Sequence, residues 1–364
     1  KKIRMGKIYT SLGLMSGTSM DGVDASIIKS NDGKNYIPTA INQYFEYDQH
    51  LYQKLTNLRD KIANKKDLYN HSDEIKSLEN EITLFHAKIT NIMINKNQNE
   101  NLNVIGFHGQ TIFHNANEKI SVQLGDGKLL SKLTSKTVVY DFRQNDIKNG
   151  GQGAPLTPIF HEQLLKTKFN LTKWPTLILN IGGISNVTSI TKSGENVNNL
   201  SKNFNEKIFA GDIGPGNCLI DEWIRKKSKY KYDKDGLIAK SGTVNRLILN
   251  QAKDNFLHFN KERSFDIKDF DISFVRGLSL EDGAATLTHF TASLIIEGLS
   301  YFIKKNYNNI SNALSEASCL ICGGGRKNKY LIKILKDELN IKKLILADED
   351  GIDGDFVESQ AFGY

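Results

Sequence analysis

A chain of 364 residues exceeds the size that one hydrophobic core normally supports, so its length predicts two domains. Hydrophobic residues make up 39% and charged residues 24%, which excludes a disordered protein. The net charge of +7 comes from lysines interspersed with acidic residues, which argues against a nucleic-acid partner. No apolar run reaches the roughly 20 residues of a membrane helix, and no signal-peptide core is recognisable. We therefore expect a cytoplasmic protein without a membrane partner.

The first half of the chain predicts an α/β domain that opens with a hairpin. Two strands, at 8–14 and 23–29, flank a polar turn that contains glycines. Apolar residues at spacings of three and four predict one long helix over 67–94. Three further strands are predicted, at 104–107, 120–124 and 137–140.

The second half repeats the order of strand, small-residue turn and strand. Strands are predicted at 176–181, 185–190, 207–210 and 318–322, and helices at 217–226 and 280–304. Because small residues are densest at 149–156, we place the domain boundary there. The predicted domains are 1–155, joined by a C-terminal helix at 354–364, and 156–353. This pattern predicts an α/β fold of two related domains with an inter-domain cleft.

Several familiar site motifs are absent from the sequence. It contains neither GxxxxGK[ST] nor GxGxxG, so the Walker and Rossmann interpretations lose their main support. His161 begins a HExxH-like segment, but Leu165 replaces its second histidine, so we place His161 on a helix surface rather than at a zinc site. Cys319 and Cys322 form a CxxC inside an apolar run, which predicts buried strand thiols rather than metal ligands.

The turn at 17–22 combines backbone amides with the hydroxyls of Thr18 and Ser19 and the carboxylate of Asp21. These groups suit phosphate oxygens and a hydrated Mg²⁺ ion. A tight hairpin without a ligand is the alternative interpretation of this turn taken alone.

Two further glycine clusters follow predicted strands of the second half. In 211–217, Asp212 stands at a strand end before a helix N-terminus that favours an anion, where it could act as a base or merely cap the turn. In 323–325, three glycines allow an adenine or ribose to approach the backbone, or they form only a tight connection. Together, the three clusters could supply the separate contacts that ATP requires.

Polar side chains also follow predicted strands of the first half. His108, Gln110, Asp141, Arg143 and Gln152 suit a ligand rich in hydroxyl groups or bearing a carboxylate. For His108, a structural hydrogen bond is an equally good interpretation. His114 is interpreted as structural.

The chain resembles one family along nearly its whole length. The segments that carry the resemblance are GLMSGTSMDGVD at 13–24, HGQT at 108–111, DFR at 141–143, GGQGAP at 150–155, NIGGISN at 180–186, 211–217 and GGG at 323–325. They are similar to those of the anhydro-N-acetylmuramic acid kinases, which belong to the actin, Hsp70 and hexokinase-like superfamily. The resemblance implies two ribonuclease-H-like domains.

The resemblance also implies the reaction and its cofactors. The substrate would be 1,6-anhydro-N-acetylmuramic acid, and ATP with Mg²⁺ would convert it to N-acetylmuramic acid 6-phosphate and ADP during bacterial peptidoglycan recycling. Asp212 would be the catalytic base, and Asp21 would hold Mg²⁺, through water or directly. ATP would contact Gly17, Thr18, Ser19, Met20, Asp21, Gly22, Val23, Asp24, Gly183, Gly214, Gly323, Gly324, Gly325 and Asn328. The sugar would contact His108, Gln110, Asp141, Arg143, Gln152 and Glu358.

Two other functions stay open on the sequence. A kinase of the same superfamily acting on another sugar would prefer a substrate with a free 6-hydroxyl. A non-catalytic ATP-binding switch would hydrolyse ATP slowly and without dependence on any sugar. Oligomeric state is equally open, because the apolar face of the 67–94 helix fits either the core or the contact of a homodimer.

Overall fold

The computed structural model describes residues 7–31, 35–97, 101–115, 117–168, 176–192, 206–257, 264–306 and 317–364. By its internal contacts the chain divides into two units, the first formed by 1–167 with 355–364 and the second by 168–354. The predicted boundary at 155 falls inside the first unit. The helix that follows it belongs there because the Phe160 ring packs 5.0 Å from Tyr36 and 5.7 Å from Tyr364, centroid to centroid.

The elements alternate between strands and helices in both halves of the chain. The first half contains β1 (Ile8–Ser16), β2 (Gly22–Asn31), β3 (Tyr36–Glu46), α1 (Gln49–Lys61), α2 (Lys65–Asn70), α3 (Ser72–Lys96), β4 (Val104–Asn115), β5 (Ile120–Leu124), α4 (Gly127–Thr134), β6 (Thr137–Tyr140), α5 (Phe142–Lys148) and α6 (Pro158–Lys168). The second half contains β7 (Thr176–Ile181), β8 (Ile184–Lys192), β9 (Glu206–Pro215), α7 (Cys218–Lys227), α8 (Leu237–Ser241), α9 (Arg246–Leu257), α10 (Leu280–Asn306), β10 (Ser318–Cys322), α11 (Lys329–Glu338), β11 (Lys343–Leu346) and α12 (Val357–Gly363).

The two sheets share one topology. In the first unit β1, β2 and β3 form an antiparallel meander, and β4 pairs parallel with both β1 and β6. In the second unit β7, β8 and β9 form the meander, and β10 pairs parallel with both β7 and β11. The first sheet has six strands, because β5 also pairs antiparallel with the end of β4. Apart from β5, both sheets have the spatial order third, second, first, fourth and last strand, with the second strand antiparallel. The protein is thus an α/β protein with two related units, as the repeated sequence pattern predicted, and these units are ribonuclease-H-like, as the family resemblance implied.

Each unit has its own hydrophobic core. In the first unit, α1 and α3 bury Leu55 and Ile82 against Leu12 and Phe107 of the sheet. In the second unit, α10 is buried along much of its length, and Ile295 packs with residues of the sheet and of α11. The described helices include none that is long and apolar enough to cross a membrane.

The C-terminal helix α12 belongs to the first unit, where it lies against the sheet. Gly13 of β1 pairs with Gly106 of β4, and a Cβ atom at either would overlap the backbone of Ser359 or Phe362. Two hydrogen bonds fix the helix there: Ser26 Oγ lies 2.6 Å from Ser359 Oγ, and Tyr36 Oη donates to Gln360 Oε1 at 2.8 Å. The glycine pair is therefore required for this close helix packing.

Several predictions about the local structure need correction. The helix predicted over 67–94 is two helices, which separate at His71 because Ser72 and Asp73 begin a new helix with acidic residues in its first turn. His161 is 1% exposed in α6, so its placement on a helix surface was wrong. Cys319 and Cys322 are buried in β10, as predicted, and burial raises the pKa of Cys319 to about 12.

Two strands are longer than predicted, and both carry candidate site residues. His108 and Gln110 lie within β4 rather than after it, because β4 changes partner from β6 to β5 and continues to Asn115. Asp212 lies within β9 rather than in a turn, because β8 pairs with β9 as far as Pro215. Strand pairing, which fixes side-chain direction, therefore positions these residues.

Candidate functional site

The turn between β1 and β2 exposes the polar groups that the sequence predicted for phosphate and metal. Thr18, Ser19 and Asp21 are exposed, and Ser19 Oγ donates to Asp21 Oδ1 at 2.6 Å. Met20 has a positive φ of 58° and a side chain that is 1% exposed, so it anchors the turn in the core. The turn therefore exposes two hydroxyls and a carboxylate, while the buried Met20 side chain holds its backbone in place.

The three residues after the turn have a different environment. Gly22, Val23 and Asp24 belong to β2, and Val23 is fully buried in the core. A Cβ atom at Gly22 would overlap Phe45 O, so close strand packing accounts for that glycine. Of the predicted stretch from Gly17 to Asp24, the exposed polar side chains therefore come from the turn itself.

Two hydrogen bonds from outside the turn hold its ends. Gln110 Nε2 donates to Gly17 O at 2.9 Å, and the Tyr47 amide donates to Asp21 O at 2.8 Å. The Gln110 side chain is fully buried, and its Oε1 has no hydrogen-bond partner among the described residues. Gln110 thus contributes to the shape of the turn and carries an unused acceptor.

The donor set of the turn is compatible with Mg²⁺. Magnesium in phosphate-transferring sites is held by one or two carboxylates together with water and phosphate oxygens. The turn offers the Asp21 carboxylate beside two hydroxyls, and the described residues contain no cluster of three or more His, Cys, Asp or Glu side chains that would make an all-protein cage. Asp21 is therefore suited to a hydrated ion.

His108 and Arg143 lie together in the first unit. His108 Nδ1 donates to Gly109 O at 2.7 Å, which leaves Nε2 as an acceptor for Arg143 Nε at 3.1 Å. Burial, followed by the nearby Arg143 charge, holds the pKa of His108 well below its usual range, so the ring is neutral. Both ring nitrogens are engaged and the side chain is 4% exposed. His108 therefore orients Arg143, which also donates from Nη1 to Gly153 O at 2.9 Å.

The remaining residues predicted for the sugar lie in three other places of the first unit. Asp141 is exposed and precedes α5 with a left-handed φ of 59°. Partial burial raises its pKa, and the Lys148 charge opposes that shift. Gln152 is exposed in the loop before α6, and Glu358 is half-buried in the first turn of α12. The structure thus brings His108 and Arg143 into direct contact, and Gln152 directly precedes Gly153, the backbone acceptor of Arg143.

In the second unit, Asp212 lies beside a β-bulge. Asp212 pairs with Asn186 and Gly214 pairs with Ser185, so Ile213 is the extra residue of β9. Bulges re-aim neighbouring side chains and are frequent next to active sites. Gly214 has a φ of 151°, which a residue other than glycine rarely adopts. The geometry of the bulge therefore explains the glycine at 214, independently of its predicted contact with ATP.

The Asp212 carboxylate is buried and held by a backbone amide. It is 8% exposed, and Oδ2 accepts a hydrogen bond from the Phe265 amide at 2.8 Å. The Phe265 ring lies 5.7 Å from Phe256 and 5.4 Å from Phe270, so an aromatic cluster fixes the segment that donates this bond. One oxygen of the buried Asp212 carboxylate is thus fixed in direction by a backbone donor.

The turn between β7 and β8 is tied to the first turn of α7. The amides of Gly216 and Cys218 donate to Gly183 O at 2.9 and 3.2 Å, and the Asn217 amide donates to Gly182 O at 2.8 Å. These amides were predicted to favour an anion, but the carbonyl groups of the turn already use them. An anion site built from them would therefore require these bonds to break.

The three consecutive glycines after β10 are not equivalent. A Cβ atom at Gly323 would overlap Asn180 Oδ1 and Ile181 O, and one at Gly325 would overlap Ile181. Gly324 is exposed, and among the described residues such an atom would meet only Asn217 Nδ2 within 4 Å, at 4.0 Å. Packing against β7 accounts for the outer glycines, so Gly324 is the one that leaves room for a ligand.

Asn328 has a local structural role. Its Oδ1 accepts from the Leu331 amide at 3.0 Å and so caps α11, and the side chain is 7% exposed. Its side-chain amide nitrogen is the group that could donate a hydrogen bond in the predicted contact with ATP.

The sequence interpretation missed the ion pair that holds the triple-glycine turn. Arg326 is 4% exposed and binds Asp348 through two hydrogen bonds, Nε to Oδ2 at 2.7 Å and Nη2 to Oδ1 at 3.0 Å. Its Nη1 donates to Gly323 O at 3.0 Å. A basic residue directly after three glycines was a signal for such an ion pair. Its partner could not be predicted, because Asp348 follows a different strand and has several acidic neighbours in the sequence.

Comparison with known proteins identifies one family. The model of the family described as anhydro-N-acetylmuramic acid kinase matches residues 9–364. A relative named anhydro-N-acetylmuramic acid kinase from Pelagibacter ubique is 52% identical over 364 residues, which is 99% of this chain and 92% of the relative. One of the same name from Agrobacterium fabrum is 36% identical over 371 residues, with the same coverage of both chains.

Among solved structures, a ROK family glucokinase from Streptomyces griseus in complex with glucose and AMPPNP is similar at a TM-score of 0.41. It is 9% identical, with 97% of this chain and 98% of that one covered. A likeness of this size carries no conclusion by itself.

Proposed function

The chain belongs to the anhydro-N-acetylmuramic acid kinase family, and we propose that it performs this family's reaction with Asp212 as the general base. It is an ATP-dependent kinase that phosphorylates 1,6-anhydro-N-acetylmuramic acid in peptidoglycan recycling. The observation that carries this function is the family match over nearly the whole chain. The roles of individual residues are our inference from the geometry of each unit.

The substrate imposes an unusual requirement on the base. O6 of the sugar is bound to C1 in the anhydro bridge, so the C1–O6 bond must break before O6 can carry a phosphoryl group. We infer that Asp212 takes a proton from water as the water oxygen bonds to C1. O6 leaves C1 with its electron pair and bonds to the γ-phosphorus, and ADP leaves. Because the phosphoryl group captures O6, no second carboxyl group is required as an acid.

The surroundings of Asp212 support this role. The Phe265 amide fixes one carboxylate oxygen, and only 8% of Asp212 is exposed to water. A base held in one direction raises the effective concentration of the proton acceptor at the attacking water. The bulge at Ile213 sets that direction through the backbone of β9.

The two units supply different contacts for ATP in this proposal. In the first unit, Thr18 and Ser19 bind phosphate oxygens, and Asp21 holds Mg²⁺, which neutralises phosphate charge when bound. In the second unit, Gly324 and Gly183 let the nucleotide approach the backbone, with Asn328 as a further candidate contact. The turn and β2 owe their shape partly to Met20, Val23 and Asp24, which contribute to ATP binding in this indirect way.

For the sugar, Arg143 is the strongest candidate of the first unit. Its guanidinium is oriented by His108 and by Gly153 O, and it suits the lactyl carboxylate of the substrate. His108 is then a positioning residue, since both of its nitrogens are engaged. The unused acceptor of Gln110 suits a hydroxyl donor, and Asp141, Gln152 and Glu358 complete the proposed set. We further propose a cytoplasmic location, where a recycled cell-wall sugar would meet ATP; the homodimer stays a prediction.

The function is tested by measuring ADP release with Mg²⁺ and ATP in the presence of 1,6-anhydro-N-acetylmuramic acid, N-acetylmuramic acid, glucose or no sugar. We expect release only with the anhydro sugar, and a product whose mass has increased by one phosphoryl group and one water. Faster release with a sugar that has a free 6-hydroxyl would indicate another sugar kinase. Equal release without any sugar would indicate an ATP-binding switch.

A further inference from the structure

Three buried polar side chains of the first unit have no role in the proposed reaction. Ser16 ends β1, Tyr47 follows β3 and His86 lies in α3. They are 1%, 4% and 0% exposed. Apolar rings surround them: Phe107 lies 4.8 Å from the His86 ring and Phe85 lies 5.0 Å from the Tyr47 ring. Polar groups in such a place are costly unless they are hydrogen-bonded.

Chemistry fixes the direction of each hydrogen bond in this network. His86 Nδ1 lies 2.7 Å from Ile82 O, which can only accept, so Nδ1 carries the proton. Burial lowers the pKa of His86 to about 4, so Nε2 is an unprotonated acceptor. Ser16 Oγ therefore donates to Nε2 at 3.3 Å and accepts from Tyr47 Oη at 3.1 Å. The chain of bonds runs in one direction from Tyr47 to the carbonyl of Ile82.

This network reaches both ends of the turn between β1 and β2. Ser16 is bonded directly to Gly17, the first residue of the turn. The Tyr47 amide donates to Asp21 O, at the end of the turn. A shift of the Ser16 or Tyr47 side chain therefore moves the backbone that carries Thr18, Ser19 and Asp21. Through His86, the network therefore connects the turn to the α3 helix.

We propose that His86, Ser16 and Tyr47 are positioning residues for the phosphate- and magnesium-binding turn. This inference rests on the role of the turn in the proposed function. An apolar trio of similar volume would pack as well, because replacing all members of a buried polar network is often neutral for stability. What the apolar trio would lose is the defined orientation that a site requires of its supporting residues.

The test separates positioning from stability by using matched variants. His86→Leu leaves the Ser16 hydroxyl without its acceptor, and we expect both a lower Tm and a KM for MgATP that rises about tenfold, the size expected for one buried hydrogen bond. The triple variant Ser16→Ala, Tyr47→Phe and His86→Leu removes all three polar groups. We expect its Tm to recover while KM for MgATP stays high. KM for the sugar should change by less than about twofold in every variant, since the turn is not proposed to bind it.

Two further variants serve as rescue and control. In His86→Gln, Oε1 can replace Nε2 as acceptor, so KM for MgATP should return to within about twofold of the wild type. His161→Leu removes another buried histidine of the same unit, and should lower Tm without changing KM for MgATP. Recovery of KM together with Tm in the triple variant would overturn the proposal, as would equal changes in KM for both substrates.

Direct titration with MgATP, read as Kd by calorimetry, separates this proposal from the proposed function. If the wild type binds MgATP but fails to phosphorylate the anhydro sugar, the proposed function fails, and the variants still test positioning through Kd. An unchanged Kd in both His86→Leu and the triple variant would overturn the positioning role.

Discussion

The turn between the first and second strands is polar in one unit and consists of two glycines in the other. In the first unit it exposes Thr18, Ser19 and Asp21, whereas in the second it is Gly182 and Gly183. The same backbone bond recurs in both: the amide of the first residue after the third strand donates to the last residue of the turn, from Tyr47 to Asp21 O and from Gly216 to Gly183 O. The repeated topology therefore keeps the backbone connection while the side chains differ.

The third strands differ in a complementary way. Asp212 of β9 lies opposite the third residue of β8, and Tyr44 of β3 occupies the corresponding place opposite Asp24 of β2. The bulge lies next to Asp212 in the second unit, but at Thr39 and Ala40 of β3, opposite Ile27 and Ile28, in the first. Partial burial and the acids Asp21, Glu46 and Asp24 raise the pKa of Tyr44, so it stays neutral. In the proposed function, one fold thus supplies a metal- and phosphate-binding turn in one copy and a catalytic base in the other.

The largest effect on turnover is expected from replacing Asp212, the proposed base. Asp212→Asn keeps an oxygen that can accept the Phe265 amide but cannot take a proton. We expect turnover of the anhydro sugar to fall by about 10³-fold, within the usual range for a general base, with an unchanged Kd for ATP. ADP release and calorimetry measure the two quantities.

Asp233→Asn is the matched control for this variant. Asp233 is 5% exposed and accepts the amides of Ile238 and Ala239, so it is another buried carboxylate of the same unit. Its replacement should lower Tm and leave turnover within about twofold. Turnover above about a tenth of the wild-type rate in Asp212→Asn would remove Asp212 from the role of base.

The next largest effect is expected on stability, from the glycine pair of the first sheet on which the C-terminal helix lies. The corresponding pair in the second sheet is Ile178 with Leu320. Gly13→Ala would place a methyl group against the Ser359 carbonyl, where the obstacle is backbone. We expect the free energy of unfolding to fall by about 3 kcal/mol, as for a severe overpacking variant. Urea unfolding measures it, and Gly277→Ala, which meets nothing within 4 Å, should be neutral.

A smaller effect is expected where the first unit holds Arg143. In Arg143→Lys a single ammonium cannot bond both His108 Nε2 and Gly153 O in the planar arrangement of the guanidinium. We expect KM for the anhydro sugar to rise about tenfold, the equivalent of one charged hydrogen bond, with KM for ATP unchanged. The exposed Arg276 provides the control Arg276→Lys. A larger change in KM for ATP than for the sugar would contradict the proposed contact.

The smallest effect concerns the pH dependence of stability and weighs most on the first unit, although burial also lowers the pKa of the half-buried His289 in the second. Burial lowers the pKa of His86 to about 4 and of His161 to about 3, and lowers that of His108 well below its usual range; all three belong to the first unit. Since the unfolded chain binds these protons near pH 6.5 and the folded chain does not, stability is complete above that pH and falls as pH decreases towards 4. Each histidine contributes up to about 1.4 kcal/mol per pH unit.

Urea unfolding followed by circular dichroism at pH 7.5, 6 and 5 measures this slope. In His161→Leu the slope of unfolding free energy against pH should decrease by the contribution of one proton, up to about 1.4 kcal/mol per pH unit. A slope equal to that of the wild type would contradict the assignment of His161 as a buried neutral histidine.

The sequence predicted the fold more completely than the site. Alternation and glycine turns located most strands because they are local signals, and the repeated order predicted two related α/β units. The helix over 67–94 was predicted as continuous because apolar spacing persists across His71, where only the dihedral angles reveal the break. The extension of β9 through Asp212 depends on pairing with β8, which no local pattern shows.

Site residues were predicted by type, but their partners were not. Arg143 and His108 were both chosen as ligands, and only the distances show that one holds the other. His86 was not chosen, because a single histidine in an amphipathic helix gives no signal of its contact with Ser16. Such contacts join residues far apart in the chain, and sequence spacing carries no information about them.

The central claim is that water attacks C1 while O6 carries the phosphoryl group, and reaction in ¹⁸O-labelled water tests it most directly. Product quenched rapidly and fragmented in a mass spectrometer should contain one ¹⁸O at C1 and none in its phosphoryl group. Label in the phosphoryl group, or a product that retains the anhydro bridge, would contradict the account.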